Sequence, residues 1–231
     1  MLTGIKRAVF FGAHTDDEMI CAGTLHRLVR GGCEVTVVSF SPAAVEADRT
    51  GGLVSAERVE PEWRSALSII GARGRFCPMS WWAPSARLHE HGQDIAQYAY
   101  DYCEVERPDL AFILSPEDEN PAHAEVGRQC ERVMRGRVPH VVRCQFPWNY
   151  GLGRPNLYVG LDIQDMDAKR RVINAYQSQK FRYDYEAMLL AYACADGLSV
   201  KLPAAEKFEL LRSVVWPSLP AYPAVAGKTQ A

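Results

Sequence analysis

The stretch AVFFGAHTDDE at residues 8–18 leads a short apolar run directly into a cluster of polar side chains. Its first part, Ala8–Gly12, is typical of a strand that is buried on both faces of a sheet. From Asp16 to Arg30 the apolar residues recur at helical spacing, and the two glycines that follow predict the end of a helix. Glu34–Phe40 is apolar and rich in β-branched residues, which predicts a second strand. These elements form one β-α-β unit, so we expect two parallel strands.

The same alternation of short apolar runs and amphipathic stretches continues along most of the chain. Further helices are predicted at Glu62–Ile70 (with Pro61 at its first position and Gly71 at its end), Gln93–Val105, His123–Met134, Asp165–Gln179 and Tyr183–Ala195, and further strands at Arg75–Met79, Leu110–Leu114, His140–Phe146 and Leu157–Ile163. This alternation predicts the α/β class, as a Rossmann-like three-layer fold with a mostly parallel sheet and helices on both faces. We expect a single domain over residues 1–222 and a loose C-terminal tail over residues 223–231.

Composition limits the kind of protein that the chain can be. Of its 231 residues, 48% are hydrophobic and 23% are charged, a balance typical of globular proteins. The formal net charge is -2, and no segment concentrates Lys and Arg beyond the three residues 169–171. The sequence therefore gives no support for binding to nucleic acid or to an anionic membrane surface.

The cysteines and the apolar segments bear on the cellular compartment in which we expect the protein. The seven cysteines are dispersed without a C-x-x-C pair, which indicates free thiols in a reducing environment. The N-terminus lacks the long apolar stretch of a signal peptide, and no apolar run approaches the roughly 20 residues of a membrane span. We therefore expect a cytoplasmic protein without a membrane span.

The segment Ala13–Glu18 lies where the first predicted strand ends and the first predicted helix begins. Ligands of open α/β sheets bind at the carboxyl ends of the strands, so this position makes the segment a candidate site. Thr15 and Glu18 also have the spacing of a helix capping box, and acidic residues in a first helical turn are favoured by the helix dipole. A cap accounts for neither His14 nor the two adjacent aspartates. On local pattern alone, both interpretations stay open.

A metal site is a chemical interpretation of the same residues. His14 and Asp17 are three positions apart, so a turn can direct both at one point. A ring nitrogen and a carboxylate suit Zn²⁺, and a third protein ligand would complete a catalytic site with an open position. Asp16 could then take a proton from a water activated by the ion. Affinity trends favour Zn²⁺, with another divalent transition metal as the alternative.

His123 is the best third ligand among the six histidines. It follows the predicted strand Leu110–Leu114 through a polar loop that contains Asp118 and Asn120. It is therefore expected at the same edge of the sheet as His14. A lone histidine at a helix start is more commonly a surface residue, and its expected position relative to the first motif is what favours a ligand.

Residues 40–56 and 147–156 fit no helix or strand, and loops of this length are often functional. The second loop contains three side chains that could stack on a sugar ring or pair with an anion: Trp148, Tyr150 and Arg154. Simple packing of the loop explains them equally well. Arg58 could also reach the site, although an arginine on the surface is the commoner case.

The residues quoted above carry a resemblance to a known family. Ala13–Glu18 resembles the Ala-His-Pro-Asp-Asp-Glu signature of the PIG-L (LmbE-like) GlcNAc de-N-acetylases. Glu62–Gly71 is similar to the family's acidic helix, Asn120–His123 to its His-Pro-Asp-His segment, and Asp167–Gln179 to its helix that ends in Ser-Gln. The resemblance covers most of the chain, in the same order.

The resemblance implies roles for particular residues. His14, Asp17 and His123 would bind Zn²⁺, and Asp16 would be the general base. Members of the family hydrolyse the acetamide of N-acetylglucosamine-type groups, so the implied substrate is a small N-acyl amino sugar or a glycoconjugate.

The sequence departs from the family pattern at three positions. Thr15 replaces a proline, and Ala122 replaces an aspartate beside the last ligand, which removes a possible orienting carboxylate. Asn120 replaces a histidine that is thought to stabilise the oxyanion or protonate the leaving amine. An asparagine can donate a hydrogen bond to an oxyanion but cannot deliver a proton, so protonation would fall to Asp16, to Asp118 or to water. Asn120 is kept as a catalytic residue, and Asp118 is also a substrate-binding candidate.

The sequence therefore predicts a zinc-dependent amide hydrolase that removes an acetyl or other acyl group from an N-acylated amino sugar or its glycoconjugate. The departures leave open a catalytically impaired member that acts as a metal-containing or small-molecule binding protein. A nucleotide-binding α/β protein ranks last, because no Gly-rich phosphate loop follows the first strand and the carboxylates would repel phosphate. The sequence also leaves a homo-oligomer open.

Overall fold

A computed structural model describes residues 4–42, 54–77, 87–149, 153–182 and 184–214. These residues form one seven-stranded sheet, with the strands β1 (Arg7–Gly12), β2 (Glu34–Ser39), β3 (Arg73–Phe76), β4 (Leu110–Ile113), β5 (His140–Arg143), β6 (Leu157–Gly160) and β7 (Ala205–Ser213). The α-helices in the same residues are α1 (Ala22–Arg30), α2 (Ala56–Ile70), α3 (Gly92–Glu106), α4 (Pro121–Met134), α5 (Ile163–Ala175) and α6 (Tyr185–Ser199).

The strand order across the sheet is β3-β2-β1-β4-β5-β7-β6. The first five strands in this order are parallel, and β7 runs antiparallel to both of its neighbours. The order reverses between β1 and β4, and at such a switch point the loops diverge to opposite faces and open a crevice beyond the carboxyl ends. The predicted fold class is confirmed.

The helices cover both faces of this sheet. One layer contains α1, α2 and α5, which contact one another, and the other contains the packed pair α3 and α4. The central strands β1 and β4 are almost entirely buried and form the middle of the core. Gly127 lets α4 approach the end of β4, because a Cβ there would lie 2.5 Å from the carbonyl oxygen of Leu114. This close packing holds α4 against the chain that leaves β4.

The prediction of where the first helix begins is wrong. Instead of one helix over Asp16–Arg30, a 3₁₀ turn at Asp17–Cys21 precedes α1, and Cys21 has the non-helical angles φ -122 and ψ 22. The apolar spacing continues through this break, which is why the pattern did not reveal it. The break changes the direction of the chain directly after the two aspartates.

Other element boundaries also differ from the expectations. α2 begins at Ala56, so Pro61 lies inside the helix, on its exposed side, rather than at the first position. The helix predicted over Asp165–Gln179 ends at Ala175, and a 3₁₀ turn at Gln177–Gln179 follows. β3 ends at Phe76, and the prediction had it continue to Met79, which lies outside the described residues.

β7 was not predicted at all. Its sequence AEKFELLRS carries charges at several positions, and these charges disguise a strand that lies inside the sheet. In the structure the charges are paired: Glu206 bonds to Lys169, and Glu209 bonds to Arg143. Pairing of this kind depends on residues far away in the sequence, so no local pattern could have shown it.

Two further expectations can be compared with the structure. All seven cysteines are free thiols, six of them buried and Cys194 exposed. In the part of the chain that the structure describes, no helix has the length and apolar character that a bilayer crossing requires. The predicted tail over residues 223–231 lies outside the described residues.

Candidate metal centre

The loop after β1 brings His14 and Asp17 together. The backbone N–H of His14 donates to Oδ2 of Asp17 at 2.9 Å, which fixes the carboxylate against the loop. The other oxygen, Oδ1, lies 3.7 Å from Nδ1 of His14. Asp17 therefore uses one oxygen to hold the loop and presents the other to the histidine.

His123 reaches the same point from the first turn of α4. Its Nε2 lies 3.1 Å from Oδ1 of Asp17 and 3.1 Å from Nδ1 of His14. Its Nδ1 lies 3.1 Å from Oδ2 of Asp118, whose side chain is 1% exposed. A carboxylate on one ring nitrogen sets the orientation of the ring and leaves the other nitrogen free to bind a metal.

The three donors fit a tetrahedral ion. Bonds of about 2.0–2.2 Å at tetrahedral angles place neighbouring ligand atoms roughly 3.3 Å apart. The distances between Asp17 Oδ1 and the two ring nitrogens, 3.7 and 3.1 Å, bracket that value. Two ring nitrogens and one carboxylate oxygen are also a donor set that zinc accepts, with a fourth position left for water or substrate. His14, Asp17 and His123 therefore can hold a divalent ion.

The charges around these donors favour a cation. Burial works against charge on His123, but the carboxylates of Asp17 and Asp118 outweigh it and raise the pKa of the ring. Burial also opposes charge on Asp17, yet His123 and then His14 lower the pKa of that carboxyl group. The Asp17 carboxylate thus stays ionised beside a ring on which positive charge is favourable, as a metal site requires.

Asp16 lies beside the ligands without sharing their role. Asp16 is 8% exposed and borders the same cavity as the ligands. Burial, and after it the Asp17 carboxylate, raises the pKa of Asp16 to about 6. A carboxylate with a pKa close to neutrality can take a proton from water and give it back within one reaction cycle.

A cavity of about 690 Å³ opens in front of the three donors. This volume is enough for a sugar-sized molecule. The described residues that line it are His14, Asp16, Asp17, Met19, Glu119, Asn120, Pro121, His123, Phe146, Trp148, Arg182 and Tyr185. The lining therefore combines aromatic rings with ionisable side chains.

Asn120 has the position that the sequence predicted, at the cavity and directly before α4. Its Oδ1 accepts a hydrogen bond from the backbone N–H of Ala122 at 2.9 Å, which caps the helix. Because the oxygen is used by the cap, the amide NH₂ is the end of the side chain that can donate to a bound group. The amide is therefore both a helix cap and a candidate donor.

Asp118 has a different environment from the one expected of a substrate residue. Its Oδ2 faces His123, and its Oδ1 accepts from the backbone N–H of Asn120 at 2.8 Å and from Nε1 of Trp148 at 3.4 Å. Both oxygens are thus engaged by the protein. Asp118 supplies the orienting carboxylate whose loss the alanine at position 122 had suggested.

The remaining predicted substrate residues differ in where they lie. Trp148 lines the cavity, 37% exposed, and stacks on Phe146 with ring centroids 4.4 Å apart. Arg58 and Arg154 are exposed, and neither is among the described residues that line the cavity. Tyr150 lies outside the described residues.

Sequence reasoning missed Arg182 and Tyr185, which line the cavity from the segment before α6 and from its start. The Arg182 charge is close enough to lower the pKa of Asp16, against the larger effects of burial and of Asp17. Nothing local distinguishes this arginine from other exposed ones. Only the fold brings it beside residues more than 160 positions earlier.

The capping-box interpretation of the first motif is not what the structure shows. The N-cap of the 3₁₀ turn is Asp16 rather than Thr15, and no side-chain cap hydrogen bond forms there. Glu18 instead accepts a hydrogen bond from the hydroxyl of Tyr176, with both side chains buried. Glu18 thereby fastens the motif to the end of α5.

The site residues lie in a part of the sequence that matches a known protein family. Residues 9–134, just over half of the chain, match the PIG-L family, described as GlcNAc-PI de-N-acetylase. The chain belongs to the PIG-L family. The matched region contains all three candidate ligands and Asp16, and it ends with α4. No curated protein sequence matches this chain.

Solved structures share the fold at low sequence identity. N,N'-diacetylchitobiose deacetylase from Pyrococcus horikoshii is 16% identical, with a TM-score of 0.66 over 91% of this chain and 85% of that one. The zinc-inhibited form of teicoplanin deacetylase Orf2 is 13% identical, with a TM-score of 0.70 over 88% and 97%. The 4-carboxy-2-hydroxymuconate hydratase GalB from Pseudomonas putida KT2440 is 18% identical, with a TM-score of 0.69 over 94% and 100%. Proteins of this fold therefore include both deacetylases and a hydratase.

Proposed function

We propose that this member of the PIG-L family is a zinc-dependent amide hydrolase that removes an acetyl or other acyl group from an N-acylated amino sugar or its glycoconjugate. One observation carries the proposal: His14, Asp17 and His123 converge at the spacing of a tetrahedral ion, and the buried Asp16 lies beside them. The family and the deacetylases that share the fold support amide hydrolysis as the reaction.

The reaction divides its tasks among the residues of the cavity. A divalent ion held by the three ligands would polarise the acyl carbonyl and make a water molecule more acidic. The Asp16 carboxylate takes the proton from the attacking water and later gives it to the leaving nitrogen. The NH₂ group of Asn120 donates to the oxyanion that forms on the carbonyl oxygen. One residue that acts first as base and then as acid compensates for the absence of a histidine at position 120.

The walls of the cavity suit an amino sugar. Trp148 is 37% exposed at the cavity, where its ring could stack on a pyranose, and Tyr185 also lines the cavity. Arg182 and Glu119 place one charge of each sign at the same cavity. Arg182 is a candidate partner for an anionic group carried by the substrate, such as a phosphate or a carboxylate.

A binding protein without turnover is the second candidate, because Asn120 cannot deliver a proton. The orienting carboxylate that Asp118 supplies weakens this alternative, since the ligand set keeps its support. The hydratase that shares the fold shows that fold alone does not select the reaction, so product detection is required.

The test combines metal content with product formation. Elemental analysis of the zinc-treated protein should give about one Zn²⁺ per chain for the wild type, as a three-ligand site holds one ion. The ion should be lost in His123→Ala and kept in the control His89→Ala, whose imidazole is exposed. Free amine should be released from N-acetylglucosamine or N,N'-diacetylchitobiose only by the proteins that hold zinc. Zinc without amine release would favour the binding protein, and a wild type that takes up no zinc would end the proposal.

A further inference from the structure

The break between the 3₁₀ turn and α1 leaves backbone groups that need partners from elsewhere. The first N–H groups of a helix and the last carbonyls of a turn have no partner within their own element. The N-cap of α1 is Cys21, and it makes no side-chain cap hydrogen bond. The partners come instead from two charged side chains, Lys169 and Glu206, which lie on α5 and β7.

Glu206 caps α1 from a position 182 residues later in the chain. Its Oε2 accepts from the backbone N–H of Thr24 at 2.7 Å, and its Oε1 accepts from that of Gly23 at 3.2 Å. The residue is 5% exposed. A carboxylate at a helix N-terminus satisfies the free N–H groups and interacts favourably with the helix dipole.

Lys169 satisfies the carbonyls on the other side of the break. Its Nζ donates to the carbonyl oxygens of Met19 at 3.0 Å and Ile20 at 2.8 Å, and to Oε1 of Glu206 at 2.6 Å. An ammonium group has three N–H donors, and these three acceptors use all of them. The residue is 1% exposed. The pair therefore presents its cation to carbonyls and its anion to N–H groups.

Stability alone does not explain the buried pair of Lys169 and Glu206. Burying two charges costs desolvation energy, and apolar residues of the same volume often stabilise a fold as well or better. A buried pair matched in polarity to both sides of one backbone break fixes the position of that break. The pair therefore contributes mainly by fixing where the 3₁₀ turn ends and α1 begins.

The fixed segment is continuous with the metal centre. The backbone N–H of Met19 donates to the carbonyl oxygen of Asp16 at 3.2 Å, and its own carbonyl accepts from Lys169. Met19 also lines the cavity in front of the ligands. Two hydrogen bonds thus connect the ammonium group of Lys169 to the residue proposed as the base, and Asp17 lies between these anchor points in the chain.

We propose that Lys169 and Glu206 are positioning residues of the metal centre, because they fix the junction between the 3₁₀ turn and α1 and thereby hold Asp16 and Asp17 at the spacing that an ion needs. The inference rests on the proposed function, since it assigns a role toward the proposed ion. It names two residues that contact neither the ligand atoms nor the cavity in front of them.

The experiment measures zinc affinity and metal-free stability side by side. Zinc binding is titrated in competition with a chromophoric chelator, and unfolding of the metal-free protein is followed in urea, for Lys169→Met, Glu206→Gln and Lys169→Arg. Lys169→Met and Glu206→Gln should weaken zinc binding about 10–100-fold, as changes to groups that orient ligands do. Lys169→Arg keeps a cation and several donors, so it should recover part of the affinity.

A charge reversal separates positioning from simple pairing. In the double variant Lys169→Glu with Glu206→Lys the two charges can still pair, but each faces backbone groups of its own polarity, so zinc affinity should not recover. The matched control reverses Arg64 and Glu60, an exposed pair on α2, and should bind zinc as the wild type does.

The outcomes separate this inference from the proposed function. Folded Lys169→Met and Glu206→Gln proteins with wild-type zinc affinity would overturn the inference, whether or not their urea midpoints had fallen. Should Lys169→Met fail to fold, Glu206→Gln decides by the same criterion, because it keeps the shape and an acceptor oxygen. A wild type that binds no zinc would overturn the proposed function itself and the inference with it.

Discussion

Asp16 and Asp17 are neighbours in the chain, yet their surroundings give them different chemistry. Asp17 is held by a backbone N–H and faces two histidines, so its pKa is lowered and it stays ionised. Asp16 is buried next to that negative charge, and its pKa is raised to about 6. Two adjacent carboxyl groups with opposite shifts suit the separate tasks of ligand and base.

Replacement of Asp16 by asparagine tests this division. Asp16→Asn should leave zinc content unchanged, because the residue is not one of the three candidate ligands. Turnover should fall by about 10²–10⁴, the usual contribution of a general base. The measurement is kcat for amine release beside elemental analysis, with Asp167→Asn, an exposed aspartate on α5, as the control. Retained turnover in Asp16→Asn would remove the base from the mechanism.

Asp118 gives a second prediction at the level of single residues. Its carboxylate orients His123 at 3.1 Å, so Asp118→Asn should weaken zinc affinity about 10–100-fold. The carboxamide keeps the shape but loses the charge that favours the cation. Chelator competition measures the affinity, and Asp101→Asn on the exposed side of α3 serves as the control. Equal zinc affinities for Asp118→Asn and wild type would show that the imidazole of His123 needs no carboxylate to orient it.

At the scale of elements, the N-cap of α4 combines a contact that the structure shows with a second one that belongs to the proposed function. Asn120 caps the helix through its oxygen and lines the cavity, and its NH₂ group is the proposed donor to the oxyanion. Two substitutions separate these contacts, because aspartate caps as well as asparagine whereas alanine does not.

Asn120→Asp should keep stability and lose activity, while Asn120→Ala should lose both. The alanine variant should be about 1 kcal/mol less stable, the usual contribution of a helix cap. The aspartate variant should unfold in urea close to the wild-type midpoint, yet its kcat should fall because an anion replaces the donor to the oxyanion. Full activity in Asn120→Asp would refute the proposed oxyanion contact.

The start of α5 predicts a dependence of stability on pH. Asp162 caps α5, and hydrogen bonds from Arg30, followed by those of the helix backbone, lower its pKa to about 2. A carboxyl group whose pKa is lowered by folding stabilises the folded state above its unfolded pKa. This contribution is lost as the pH falls through the folded value.

Asp162→Asn should therefore be less stable than wild type at pH 7, and the difference should shrink between pH 4 and pH 2. Asparagine retains the cap, so the difference reports the pairing with Arg30 at 2.9 Å. Because both side chains are exposed, the effect should be small and should diminish in high salt. Urea midpoints at pH 7, 4 and 2 measure it. A difference that does not vary with pH would contradict the assignment.

The elements that sequence predicted well are those whose pattern is local. β1, β2 and β4 are apolar runs bounded by turns, and the site follows the ends of two of them. The break at Cys21 and the strand β7 were missed because both depend on charged partners from distant segments. The candidate ligand set could be predicted from adjacent strands, whereas the position of Arg182 at the cavity and the contact of Asp118 with His123 required the folded loops.

At the scale of the whole molecule, the proposed metal connects two parts of the sheet. His14 and His123 are 109 positions apart, and they follow β1 and β4 on either side of the switch point. Unfolding separates these ligands, so an ion bound by all three prefers the folded chain. Metal binding and folding are then coupled.

Zinc should therefore raise the melting temperature of the wild type. A ligand at 100 times its dissociation constant adds about 2.7 kcal/mol to the stability of the folded state. For a chain of this size each kcal/mol moves the melting temperature by about 2–4 °C, so the expected increase is about 5–10 °C. His123→Ala should show little of this increase and His89→Ala all of it, and the melting temperatures are measured with zinc and with chelator. An equal increase in His123→Ala would mean that zinc acts elsewhere on the protein, and the three-ligand site would then lose its thermodynamic support.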